Sequence, residues 1–221
     1  SYDRVAAFAR HWRTEQSVSK QVYVPLLFAP GEAFQFDWGE NWVSIAGKKV
    51  KVQVAHFKLC HSKVSYQRAY WTQTHEMLFD AHTQAFRVFG GVPERGIYDN
   101  MKTAVDKIGR GKERVVNKRF QAMASHYLFE ADFCNPAAGW EKGQVEKAVQ
   151  DGRYALWHKA PGFNSLEALN DWLEQECQAV WQQQHPEFKP HTLWQCLQEE
   201  RLHLMHINSA FDGFIEHSKQ V

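Results

Sequence analysis

Apolar and polar residues take turns along Ala33-Phe34-Gln35-Phe36-Asp37-Trp38. This is the period-two pattern of a strand with one buried face, and Gly39 predicts its end. Val50, Val52 and Val54 alternate with Lys49, Lys51 and Gln53, and the run from Val64 to Tyr70 repeats the pattern. Three strands separated by short turns predict an antiparallel meander.

The period then changes. Leu78, Ala81, Ala85 and Phe89 share one helical face, with Thr72 or Thr74 placed to cap its start and Gly90-Gly91 to stop it. Pro93 to Tyr98 leads into a short strand, Gly96-Ile97-Tyr98-Asp99. Residues 102–117, rich in Gly, Lys and Arg, predict a loop. Asn117 caps a helix that turns Phe120, Met123, Ala124 and Tyr127 inward, and Phe129, Ala131 and Phe133 alternate as a fifth strand. After breaks at Asn135-Pro136 and Gly139, a helix from about Gly143 buries Val145, Ala148, Val149, Gly152, Ala155 and Leu156. The resulting order is βββαβαβα, in which the first and fourth strands are neighbours, so their ends can meet under the following helix.

A further helix begins at Ser165 and carries Leu169, Trp172, Leu173, Val180 and Trp181, and beyond His185-Pro186 the pattern loses its regularity. Ahead of the meander, Val5, Phe8, Ala9 and Trp12 form a helical stripe, and residues 17–32, with Pro25, Pro30 and Gly31, read as a linker. The chain starts without methionine, so an excised piece of a longer protein is expected.

Composition narrows the function classes. An apolar fraction of 44% and a charged fraction of 23% in 221 residues describe a globular, ordered protein. No run approaches the roughly 20 apolar residues of a membrane span, and no basic start with an apolar run marks a secretory leader. Cys60, Cys134, Cys177 and Cys196 include no Cys-x-x-Cys pair, which predicts reduced cytoplasmic thiols rather than a disulfide framework or zinc knuckle. The twelve histidines lack the pattern of a zinc module. No Walker-type glycine loop and no Ser/His/Asp elbow is present, so neither an intrinsic ATPase nor that hydrolase class is supported. With 26 basic and 25 acidic residues the net charge is +1, and any argument for a nucleic-acid partner must be local.

Three carboxylates are poorly explained by packing. Asp37 lies inside a predicted strand, where aspartate is depleted and an unpaired buried charge is costly. Asp99 ends the fourth strand, and Glu146 borders the apolar stripe of its helix. If the three meet, mutual repulsion calls for a cation, and hard oxygen donors select Mg²⁺ or Mn²⁺. Two such ions roughly 4 Å apart serve an in-line phosphoryl displacement. The bland alternative makes Asp37 and Asp99 turn or cap residues and Glu146 a solvated helix residue.

Between 102 and 119 stand seven basic residues, Lys102, Lys107, Arg110, Lys112, Arg114, Lys118 and Arg119, against Asp106 and Glu113, a local balance of +5. Phosphate neutralisation is one use of such a segment, and a solvated loop is the other reading. Lys142, Glu146, Gln150 and Arg153 recur at helical spacing, which sets basic groups beside the carboxylate. Trp38, Trp42, Trp71 and Trp140 read as core or interface residues, with Trp140 also placed to stack on a splayed base.

These residues carry a resemblance. Phe34-Gln35-Phe36-Asp37-Trp38, Tyr98-Asp99-Asn100-Met101-Lys102-Thr103-Ala104-Val105, Asn117-Lys118-Arg119-Phe120 and Gly143-Gln144-Val145-Glu146-Lys147 resemble the catalytic domain of bacterial insertion-sequence transposases of the IstA type. These belong to the DDE transposases and retroviral-type integrases. The resemblance covers about residues 30 to 185 and implies an α/β, ribonuclease H-like fold with a mixed five-stranded sheet flanked by helices. It divides the chain into residues 1–32, the helix and linker that trail a missing helix-turn-helix region, a catalytic domain over 33–185, and an extension over 186–221 leading to a missing domain.

What the resemblance implies for chemistry is specific. Asp37, Asp99 and Glu146 become the metal-binding triad for two Mg²⁺ or Mn²⁺ ions, with Asp37 bridging both. The activity is cleavage at transposon ends followed by transfer of the 3′-hydroxyl into target DNA. The partners are transposon-end and target DNA, further copies of the chain, and a separate AAA+ ATPase of the IstB type, in the bacterial cytoplasm at the nucleoid. The family usually has Gly-Lys-Val-Glu where this chain has Gln144, so a basic DNA contact is lost or passes to Lys142 or Lys147. A non-catalytic DNA-binding or assembly module of the same fold, and a repair nuclease that cuts without joining, are the competing classes.

Overall fold

The computed structural model describes residues 27–98, 105–108, 114–133, 156–207 and 209–213. Strand β1 (Ala33–Ile45) pairs antiparallel with β2 (Lys48–Leu59), in register from Phe34 opposite Leu59 to Ile45 opposite Lys48. The two are joined at Ala46-Gly47, both with positive φ, the backbone that a two-residue hairpin of matching twist requires. Strand β3 (Ser65–Tyr70) adds antiparallel to β2 and completes the expected meander. Strands β4 (Arg95–Tyr98) and β7 (Glu130–Phe133) join on the other side, both parallel, giving the order β3-β2-β1-β4-β7.

The first strand does not stop at Gly39, as its sequence predicts. It continues to Ile45 because β2 offers an unbroken partner along its whole length. Gly39 lies inside it for a different reason: a Cβ there would come within 2.9 Å of His56 Nε2, the close approach that glycine in a strand permits.

Helix α1 (His75–Phe89) starts at Thr74, whose side chain accepts from the Met77 N–H, and ends at Gly90 with φ of 89°. Helix α2 (Lys118–Tyr127) is capped by Asn117, α3 (Leu166–Val180) by Ser165, and α4 (Leu193–Glu200) by a reciprocal pair of Thr192 and Gln195. Residues 102–117 are not one loop. They include an antiparallel pair, β5 (Val105–Ile108) and β6 (Arg114–Val116), whose short β-branched runs are masked in the sequence by the lysines and arginines between them.

Helices cover both faces of the sheet. On one, Phe34, Phe36, Phe57 and Tyr98 pack with α1, α2 and α4; on the other, Val43, Ile45, Val52, Val54 and Ala69 pack with α3, Leu156 and Phe163. Each buried Val, Ile, Leu or Phe among them contributes roughly 1.5–3 kcal/mol. The stretch beyond 185 supplies Leu193 and Leu197 to the first core, and Met205 pairs with Val92. Of the tryptophans read as core or interface, Trp38 packs on the first core, while Trp42 and Trp71 are 60% and 53% exposed. Cys60, Cys177 and Cys196 are buried free thiols. No helix among the described residues is long and apolar enough to cross a membrane. The expected helices at 2–16 and from 143 lie outside the described residues.

Candidate active site

Asp37 stands in the middle of β1, directly across the antiparallel pair from His56. It belongs to the odd-numbered face, the one α3 covers further along the strand, whereas its neighbours Phe36 and Trp38 turn toward the opposite core. His56 is buried and lies over Gly39, so glycine two residues after the aspartate lets the imidazole occupy the strand surface beside it.

The described pairing of β1 with β4 is parallel and runs Ala33 with Arg95 to Phe36 with Tyr98. The two strands therefore point the same way, and the last described pair, Phe36 with Tyr98, immediately precedes Asp37 and Asp99 in the sequence. The end of β4 is firmly held. His82 on α1, fully buried, meets the Tyr98 hydroxyl at 2.8 Å through Nε2 and the Leu78 carbonyl at 2.8 Å through Nδ1. Burial pushes the imidazole down to about 3, so it is neutral. The Leu78 carbonyl can only accept, which puts the proton on Nδ1 and makes Nε2 the acceptor for the tyrosine O–H. Burial likewise raises the Tyr98 phenol well above its ordinary range. Gly96 completes the fit, since a Cβ there would fall 2.5 Å from the Phe34 ring.

Asp99 and Glu146 lie outside the described residues, as do Lys102, Arg110, Lys112, Lys142, Lys147 and Arg153. Asp37 brings carboxylate oxygens of the hard kind that Mg²⁺ or Mn²⁺ takes, and among the described residues no group of three His, Cys, Asp or Glu side chains is placed to hold an ion. Lys107 and Arg114 fall on the β5–β6 pair, at positions facing Val115 and Ile108. Lys118 is exposed at the start of α2. Arg119 is engaged within the fold: its guanidinium donates to Glu76 Oε1 at 2.6 Å and to the Gly213 carbonyl at 2.5 Å, over the Phe79 ring. This partner holds the Glu76 carboxyl down to about 2.

His56 and His82 are not legible as site residues in the sequence. Neither sits in a recognisable spacing; the signal for His82 was its place four residues after Leu78, on the buried face of α1.

Comparison with known proteins gives the geometry its context. The chain is 58% identical over 227 residues to a transposase for insertion sequences IS1326/IS1353 of Pseudomonas aeruginosa, covering all of this chain and 45% of that protein. It is equally similar, over 226 residues, to a transposase of Aminobacter aminovorans, with 44% of that protein covered. The chain belongs to the insertion-sequence transposase family. It spans less than half the length of these relatives. A transposase for IS21 of P. aeruginosa is 35% identical over 146 residues, with 66% of this chain and 37% of that protein covered. No protein-family model matches the chain.

Among solved structures, a chain of the simian T-cell lymphotropic virus intasome in complex with PP2A regulatory subunit B56 gamma superposes with a TM-score of 0.56. The identity is 14%, covering 91% of this chain and 62% of that one. The HTLV-2 integrase catalytic core domain in complex with magnesium gives 0.50 at 16% identity, covering 78% and 98%. At these identities the likeness is one of fold, and the fold is ribonuclease H-like.

Proposed function

We propose that this segment is the catalytic centre of a DDE transposase, in which Asp37, Asp99 and Glu146 together hold divalent metal ions. The observation that carries the reading is the parallel register of β1 and β4, with Phe36 opposite Tyr98. Consecutive Cα atoms are about 3.8 Å apart, so the covalent chain keeps residue 99 close to the point along β1 where Asp37 stands. The magnesium bound by the integrase core of the same fold supports Mg²⁺ as the ion, and the hard-oxygen set also accommodates Mn²⁺. Two bound ions supply the Lewis acidity that activates an attacking oxygen and stabilises a leaving one.

The chain's own residues then orient the substrate. Asp37, Asp99 and Glu146 would hold the ions, and the buried His82–Tyr98 pair fixes the strand that leads into Asp99. Phosphate contacts fall to Lys102, Lys107, Arg110, Lys112, Arg114, Lys118, Lys142, Lys147, Arg153 and Arg119, the last already shared with Glu76. The substrate is transposon-end DNA, cut to free a 3′-hydroxyl that attacks target DNA. Assembly of several copies on paired ends, and an AAA+ ATPase of the IstB type as helper, belong to the same reading, in the bacterial cytoplasm.

Cleavage and strand transfer on end-sequence DNA with Mg²⁺, comparing the full-length protein with its Asp37→Asn, Asp99→Asn and Glu146→Gln variants, test it. The expected result is that each variant falls to background for both steps while still binding DNA. Undiminished activity in any of them overturns the triad, and cutting without joining points instead to a nuclease.

A further inference from the structure

We infer that the far end of β1 carries a second nucleic-acid site, a groove in which Trp42 stacks on an unpaired base of the DNA substrate. The inference rests on the DNA-processing reading above. Trp42 is 60% exposed on a strand, where an aromatic ring of this size usually packs against a neighbouring element. It forms one wall of a groove of about 280 Å³, closed by Ser44, Lys49, Trp157 and the Ala160-Pro161-Gly162 segment. Trp157 is fixed in place, its indole N–H donating to Gln67 Oε1 at 2.9 Å.

Three features select the occupant. Charge is the first: Lys49 and Lys51 share the strand face of Trp42, with Lys48 beside the hairpin turn, against the carboxylate of Glu40, which pairs with Lys51 at 2.6 Å. Lys48 and Lys49 enter no ion pair among the described residues, and the Lys49 ammonium lies 5.7 Å from the Trp42 ring centre, within reach of a phosphate beside a stacked base. Shape is the second. A paired base has both faces covered by its neighbours in the duplex, so an exposed indole offers stacking only to an unpaired one.

Position is the third. Among the described residues β4 accompanies β1 to Phe36, and the same edge of β1 meets its next described partner at Ser44–Ala46, where Phe163 exchanges hydrogen bonds of 2.9 and 2.8 Å. Asp37 and Trp42 project to opposite faces, but the groove opens at the edge of the strand, where the two faces meet. Five residues of strand separate them by about 16 Å, which roughly five stacked base steps span at about 3.4 Å each. A strand of DNA whose phosphate lies at Asp37 is thus long enough to reach Trp42. The stacking role read for Trp140 lies outside the described residues; Trp42 supplies the same chemistry at a defined place.

The test is binding of a fluorescein-labelled oligothymidylate and of a blunt duplex of equal length by the full-length protein, in Trp42→Ala, Trp42→Phe and, as a control for another exposed tryptophan, Trp71→Ala. Trp42→Ala is expected to weaken single-strand binding on the order of tenfold with the duplex unaffected, Trp42→Phe to restore most of it, and Trp71→Ala to match the parent. Unchanged single-strand affinity in Trp42→Ala, an equal loss on both probes, or a parent that does not bind the oligothymidylate overturns the inference. Metal-dependent cleavage by the Asp37→Asn variant is scored separately. Loss of cleavage there together with Trp42-independent binding defeats the groove alone, and retained cleavage with Trp42-dependent binding defeats the triad alone.

Discussion

The Tyr98 hydroxyl donates to His82 Nε2 across 2.8 Å of fully buried space, and that single bond ties the last residue of β4 to helix α1. His82→Phe leaves the hydroxyl without an acceptor, an expected loss of about 1–3 kcal/mol in denaturant unfolding. Tyr98→Phe strands the imidazole nitrogen instead. Because each single change orphans the other group, the double variant is expected to lose less than the sum of the two, a coupling that a double-mutant cycle reads directly.

The same histidine gives stability a pH dependence. Unfolded, it takes up a proton near its ordinary value of 6.5; folded, burial holds it neutral down to about 3. The unfolded chain therefore binds the extra proton throughout that window, and stability falls as pH is lowered through it, by at most about 1.4 kcal/mol per pH unit from this group. Urea midpoints measured stepwise across the window are expected to show a shallower decline in His82→Phe than in the parent.

Glu200 is a second buried polar anchor. Its carboxylate accepts from the Gly31 N–H at 3.2 Å and the Ser62 N–H at 3.0 Å, joining α4 to the approach to β1 and to the turn between β2 and β3. Glu200→Ala leaves two buried donors unsatisfied, at about 1–3 kcal/mol each. Glu200→Gln also destabilises, since an amide offers one acceptor oxygen where two donors converge. Thermal unfolding is expected to rank parent above Gln above Ala.

The ion pair of Arg119 and Glu76 acts at acid pH. With its folded value depressed to about 2 from 4.5, the Glu76 carboxylate contributes stability that is fully present above about 4.5 and is lost as pH falls toward 2. The pair is partly exposed, so solvent screening limits its worth to about 1 kcal/mol. The stability gap between the parent and Glu76→Gln is expected to close across that interval.

Gly39→Ala probes the surroundings of Asp37. The new methyl group meets His56 Nε2 at 2.9 Å and displaces the ring from beside the aspartate. Displacement of a site by about 1 Å reduces rates by about a hundredfold, so DNA cleavage is expected to drop by one to two orders of magnitude while single-strand binding at Trp42 stays at the parental level.

How much of this was legible in the sequence depended on whether local pattern or long-range pairing decided the outcome. Thr74, Gly90, Asn117 and Ser165 cap the helices they were expected to cap, because capping is settled within one turn of chain. The neighbourhood of the first and fourth strands followed from element order. The extension of β1 past Gly39 did not, since its cause is the pairing with β2, from Glu40 opposite Gln53 to Ile45 opposite Lys48, and not a pattern within the strand itself. Nor did the exposure of Trp42: a strand residue shows which face it shares, and only the assembled sheet shows that no helix among the described residues covers that end. The pairing of Arg119 with Glu76 escaped for the same reason, because opposite charges 43 residues apart leave no spacing to read.

Asn170 on α3 accepts from the Ala69 N–H at 2.7 Å and donates to the Ala69 carbonyl at 3.0 Å. Ala69 lies on β3, the outermost strand on that side of the sheet. Its main-chain groups are thereby spoken for at mid-strand, so a foreign chain arriving at this margin finds no template on which to zip up. Growth of the sheet by added strands is blocked along that border.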